Sequence, residues 1–105
     1  MANSTIKKIR VNELGLKMDI PTDLNNVVPH SGSCIECKVY GSTAANNPGS
    51  SGGLLILISG IDNSSSYFTQ IALPNNSTST PMAYIRNGKT GSGGGFSSWK
   101  SIVNA

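Results

Sequence analysis

The chain has 105 residues, room for one domain, and Asn, Ser, Thr and Gly fill 46 of its positions while charged residues make up only 12%. That mix disfavours a helical bundle, because all four rank below Ala, Leu, Glu and Lys in helix propensity. A hydrophobic fraction of 37% with a net charge of +3 argues against bulk disorder, and no apolar run approaches the about 20 residues that a membrane helix takes.

Residues 6–20 carry two periods. Ile6 and Ile9 suggest one helical turn, whereas Leu14, Leu16, Met18 and Ile20 alternate strictly with Gly15, Lys17 and Asp19, the mark of a half-buried strand. Pro21 ends that strand, since proline cannot donate to a ladder. Residues 1–21 therefore read as a strand-like attachment arm and residues 22–105 as the domain proper. Asp23 or Thr22 is placed to cap a short helical turn, and Pro29-His30-Ser31-Gly32 is a second turn. A strand over residues 34–40 follows, with Ile35, Cys37 and Val39 on one face and Glu36, Lys38 and Tyr40 on the other. Residues 41–53 form a long loop of low complexity around Pro48-Gly49, the kind that is usually functional or mobile. Residues 54–59 read as a central strand buried on both faces. After a polar turn over residues 60–66, strands are expected at 67–73 and 82–86, separated by a polar loop at 74–81 and followed by a glycine-rich turn at 87–95. The closing segment brings Trp99 and either Ile102 or Val103 to a core. Short strands at this spacing predict a mainly β, β-rich α+β fold: a small antiparallel sheet with a short helical element.

Little in the chain points to chemistry. Cys34 and Cys37 are the only cysteines. Three residues apart on a strand they face opposite sides, which makes a bridge between them awkward, and without a second pair they cannot complete a zinc site, nor does the single histidine, His30, repair that. They read as free thiols, with Cys37 buried. Gly49-Ser50-Ser51-Gly52-Gly53 spells Gly-x-Ser-x-Gly, but the strand before and helix after that such an elbow needs are missing, and His30 is the sole imidazole base. Gly88-Lys89-Thr90 looks like the tail of a phosphate loop, yet its partner glycine position holds Ala83. Glu13, Asp19, Asp23, Glu36 and Asp62 are dispersed. Lys7, Lys8 and Arg10 form the only basic cluster, too short a stripe to follow a phosphate backbone. The expectation is no catalytic residue, no metal, no cofactor, no nucleic acid and no membrane. A small, glycine-rich domain without disulfide or metal has partner subunits as its remaining stabiliser.

The stretch Tyr67-Phe68-Thr69-Gln70-Ile71-Ala72-Leu73, then Met82-Ala83-Tyr84-Ile85-Arg86-Asn87, then Gly95-Phe96-Ser97-Ser98-Trp99-Lys100 resembles the C-terminal knob module of phage tail fibres and phage-derived bacteriocins, the pyocin-knob type. Asp23-Leu24-Asn25 and the turn glycine Gly32 resemble the opening of that module, so the similarity spans residues 22–103. The chain departs from the pattern in its long 41–53 loop and its very glycine-rich turn. The resemblance implies a virion protein of the tail fibre, assembled in the host cytoplasm, that forms a homotrimer, joins other tail proteins and attaches to a bacterial surface receptor, a glycan above all. The alternative is a purely structural virion subunit, a connector or decoration protein without a receptor. By their chemistry Gln70, Arg86 and Trp99 are expected to hold the module together: an amide with donors and acceptor, a charged donor and an apolar plate. Tyr40, Tyr67 and Tyr84 are the candidates to stack on sugar rings, and Asn75 and Asn76 to bond hydroxyls, on loops 41–53, 62–66 and 74–81.

Overall fold

Alternating apolar runs between short polar turns fold into one antiparallel sheet, in which each strand pairs with the next. The computed structural model describes residues 20–30, 34–59, 66–76, 78 and 80–103. Strands β1 (Ile35–Tyr40), β2 (Gly53–Ser59), β3 (Tyr67–Pro74) and β4 (Tyr84–Lys89) lie side by side in chain order, and the two-residue strands β5 (Gly95–Phe96) and β6 (Lys100–Ser101) both pair with β4. The helical element is a single 3-10 turn at Leu24–Asn26, capped by Asp23, whose Oδ1 accepts the Asn25 N–H at 2.9 Å. The arm expected before residue 20, and the turn at 60–65, fall outside the described residues. No helix among the described residues is long and apolar enough to cross a membrane.

Register sorts the side chains onto two faces, because neighbours along a strand point to opposite sides. On the inner face Lys38, Leu55, Ala72 and Tyr84 line up across four strands, as do Glu36, Leu57, Gln70 and Arg86. The 3-10 turn lies on this face, and Leu24 and Val27 pack with Tyr40, Leu55, Leu57 and Phe68 into the core. Each large aliphatic or aromatic side chain removed from water there contributes about 1.5–3 kcal/mol. On the outer face one row runs Cys37, Ile56, Ile71 and Ile85, flanked by Ile35 and Ile58 on one side and by Val39, Leu54 and Leu73 on the other. Among the described residues no element stacks on that face, and Ile35 is 66% exposed.

Three expectations change accordingly. Cys37 is exposed on the outer face instead of buried, because Tyr40, not the Ile35–Cys37–Val39 row, turns toward the core. β2 is buried on one face only: Leu55 and Leu57 are fully enclosed, whereas Ile58 is exposed. Ile102 and Val103 are exposed too, since the chain leaves the sheet after Ser101, and of the closing segment only Phe96 and Trp99 pack against the core. The fourth strand starts later than its apolar residues suggest and continues to Lys89. Beyond it the turn is tight, with Gly91 and Gly93 at φ of 82° and 73°, a left-handed backbone that glycine adopts without penalty.

Residues 41–52 are stitched down. The Ala45 N–H donates to Thr22 O at 2.8 Å and the Leu24 N–H to Ala45 O at 3.0 Å, a short parallel bridge to the 3-10 turn, and Ala44 is buried between them. Asn47 Nδ2 donates to Ala44 O at 2.8 Å, which closes the bend from within.

Candidate functional site

A buried polar network lies at the centre of the inner face. Gln70 sits in mid-β3 between Leu57 and Arg86, with no exposed surface. Its Nε2 donates to Leu24 O and to Val27 O, both at 2.9 Å, and its Oε1 accepts from Arg86 Nε at 2.8 Å. One amide thus holds the 3-10 turn on one side and β4 on the other, which satisfies polar groups that would otherwise cost about 1–3 kcal/mol each in a dry core. The Arg86 guanidinium is stacked between two rings, 3.9 Å from the Phe96 centroid and 4.3 Å from that of Trp99. Burial lowers its pKa to about 10, and the negative charge of Asp23 draws it back up. Trp99 Nε1 donates to Asn46 O at 2.8 Å; Asn46, held at φ 61°, gives its Nδ2 to Asp23 Oδ1 at 2.8 Å. The Asn46 side-chain bond and then the Asn25 N–H hold the Asp23 carboxyl below its usual range. Gln70, Arg86 and Trp99 are therefore in one continuous network that ties the C-terminal segment, the 41–52 loop, the 3-10 turn, β3 and β4 together. Arg86 Nη2 is buried in it without a hydrogen-bond partner, as is Tyr40 Oη elsewhere in the core.

The candidate ligand-binding residues are dispersed. Tyr40 is 2% exposed, and burial raises its phenol pKa, so its ring is a core plate and not a surface for stacking. Its position at the end of β1, opposite Gly53, turns it inward. Tyr84 is half-buried against the core and borders a depression of about 230 Å³ with Ser51, Pro74 and Met82. Asn75 and Asn76 are exposed, and their backbone N–H groups share Gly52 O at 3.1 Å. They border a depression of about 360 Å³ together with Ile20, Val39 and Gly53. Tyr67, 61% exposed, lies at the other end of β3, roughly 25 Å away at about 3.3 Å per residue.

Around Tyr67 the sheet brings together residues that the sequence did not single out. Register sets Tyr67 opposite Lys89 and Thr69 opposite Asn87. Lys89 Nζ stands 5.2 Å from the Tyr67 ring centroid, and Thr69 Oγ1 donates to Asn87 Oδ1 at 2.9 Å. A depression of about 250 Å³ opens beside them, lined also by Ser59 and Gly88. Thr69, Asn87 and Lys89 were not candidates for binding in the sequence; only the strand register places them beside the tyrosine. This cluster offers one aromatic face, one cation and hydroxyl and amide groups to a polar ligand.

His30 Nδ1 meets Glu36 Oε1 at 2.6 Å. Burial pushes the Glu36 carboxyl up, but the side-chain and backbone hydrogen bonds from His30 outweigh it and leave the group below its ordinary value. His30 and Ser51 line different depressions. Among the described residues no three His, Cys, Asp or Glu side chains gather to hold a metal ion. In comparisons with known proteins, the chain matches no family model, no curated protein and no solved structure.

Proposed function

We propose that this chain is a non-enzymatic adhesion module of a phage tail fibre, a homotrimeric virion component that attaches to a bacterial surface glycan. The observation that carries the proposal is the buried Gln70–Arg86–Trp99 network. The residues that resemble the knob module are mutual partners in one scaffold, and a rigid scaffold of that kind is what recognition loops need. Ile20, where the arm joins, borders the same depression as Asn75 and Asn76, so that end of the sheet is proximal to the attachment point. The distal end carries Tyr67, Thr69, Asn87 and Lys89, the groups best suited to stack on a pyranose and bond its hydroxyls.

The reading is tested by exposing the purified protein to a glycan array and to a panel of bacterial cells, alongside Tyr67→Ala. Binding to a defined glycan, with adsorption lowered about tenfold by Tyr67→Ala (about 1.4 kcal/mol), supports it. Adsorption unchanged by the substitution, or no glycan bound, refutes it. A second reading, a connector or decoration subunit without a receptor, is favoured by the apolar outer face, which no element among the described residues covers. It predicts that Tyr67→Ala leaves attachment untouched.

A further inference from the structure

The outer face of the sheet is more apolar than the inner one. Its central row is Cys37, Ile56, Ile71 and Ile85, with aliphatic rows on both sides, and the polar groups on it are confined to the Tyr67–Asn87 end and to Lys100 beyond β4. Four strands of six to eight residues give this face a plan area of roughly 400 Å². That matches the largest apolar patch a typical soluble monomer shows, about 300–600 Å², and here the patch is continuous. Among the described strands β1 is the edge that borders it, with Ile35 and Val39 exposed.

We infer that this face is where copies of this chain pack against one another, outer face to outer face, with the row through Cys37 and Ile56 at the centre of the contact. The inference rests on the assembly half of the proposed function and not on its receptor half. Charge selects the occupant. The patch from Ile35 to Ile85 holds no charged side chain, and the cations of this face, Lys89 and Lys100, stand at its margins, so its middle has nothing to offer a glycan or a charged partner. A second copy also supplies a surface of the same pleated shape, which sheets pack at about 10 Å separation. Area sets the strength: two such faces cover roughly 800 Å² in plan between them, below the about 1,200 Å² of a standard interface, so the association is weak and concentration-dependent. A single strand, such as one built from Leu14, Leu16 and Met18, spans about a quarter of a four-strand face and leaves the rest wet.

The test uses the full chain in a Cys34→Ser background, with sedimentation equilibrium for mass and iodoacetamide alkylation for access to Cys37. Ile35→Lys combined with Ile58→Lys is the perturbation, because both side chains are exposed in the single chain and a lysine there leaves its fold intact. Near-ultraviolet circular dichroism of Trp99, which packs on the opposite face, reports folding. The expected result is a wild type heavier than one chain whose Cys37 reacts at least about tenfold slower than in the double lysine variant, itself a folded monomer. A wild-type dimer that the variant dissociates upholds the face and refutes the three-fold assembly. A trimer that persists in the variant, with the Cys37 rate unchanged, overturns the inference and leaves the fibre reading standing. A wild-type monomer with freely reactive Cys37 overturns both the inference and the trimer. If Leu16→Asp frees Cys37 without changing the mass, the arm is the cover and the inference fails.

Discussion

Replacing Gln70 by leucine removes one amide and strands three groups at once. Val27 O loses its 2.9 Å donor; Leu24 O loses another and keeps only the Val27 N–H at 3.3 Å; and Arg86 Nε loses its 2.8 Å acceptor inside a core where it is 6% exposed. A buried group left unpaired costs about 1–3 kcal/mol, and more if it is charged. Leucine returns part of this through its own burial, so the net loss is about 3–5 kcal/mol, a large share of the roughly 5–15 kcal/mol that holds a domain folded. The melting temperature falls by roughly 12–40 °C, at about 4–8 °C per kcal/mol for a domain near this size. Urea unfolding followed by far-ultraviolet circular dichroism, at one fixed protein concentration, gives the magnitude. The double variant Gln70→Leu with Arg86→Leu discriminates further, because it removes the stranded charge with its partner. Its loss is smaller than the sum of the two single losses by about 1–3 kcal/mol. A change under about 0.5 kcal/mol for Gln70→Leu, or strict additivity, refutes the network as the tie between turn and sheet.

Gly88 faces the core opposite Phe68, and a methyl group there comes within 2.7 Å of Phe68 Cζ and 2.8 Å of Phe96 Cε1. Gly88→Ala therefore forces apart rings that meet edge to face at 5.7 Å and destabilises by about 1–3 kcal/mol, read from the urea midpoint; a neutral substitution refutes this packing. Acid is the second lever. The folded chain holds Asp23 and Glu36 below their ordinary values, so below that range the unfolded state binds more protons. Their stabilisation is fully present above about pH 5 and is lost as pH falls through the folded values. Unfolding midpoints at pH 7 and pH 3 show the drop, and Asp23→Asn with Glu36→Gln makes it shallower; equal slopes in the variant refute the assignment.

Strand positions were legible in the sequence because period-two alternation and turn residues mark them without tertiary information. Which face of a strand turns inward was not. In β1 the apolar row is Ile35, Cys37 and Val39, and the ordinary rule sends that row to the core. Here the amphipathic Glu36–Lys38–Tyr40 row faces inward, since Tyr40 alone fills the space beside Leu55 and the stems of its two neighbours lie along the inner face. The β4 boundary shifted for a related reason. Asn87, Gly88 and Lys89 read as turn residues, but Gly88 is needed where Phe68 and Phe96 close on the strand, and Asn87 pairs across to Thr69. The 41–52 segment read as a loop from its composition, and its anchoring to Thr22 and Leu24 is a contact between backbones, which leaves no trace in side-chain pattern. Asp23 as a helix cap was legible, since that requirement is local. The cluster around Tyr67 was not, because it depends on strand register alone.

The two faces of this sheet differ in a way that bears on what the chain is for. An isolated domain that minimises its free energy turns its most apolar face toward its own core. This chain turns inward a face that holds Glu36, Lys38, Gln70 and Arg86, buries Gln70 and Arg86 among hydrogen bonds and stacked rings, and turns the aliphatic rows of β2 and β3 outward. Specific hydrogen bonds fix geometry within one chain, while a smooth apolar face recognises shape and exclusion of water, which is how identical surfaces associate. Leu54, Ile56 and Ile58 alternate with Leu55 and Leu57 along β2, so one strand serves both layers. Substitutions in that strand should then separate by parity. Leu55→Ala or Leu57→Ala costs about 2–5 kcal/mol of single-chain stability, whereas Ile56→Ala lowers the mass seen by sedimentation at a protein concentration where the wild type stays assembled. Equal effects at odd and even positions would mean that β2 carries one core and no interface.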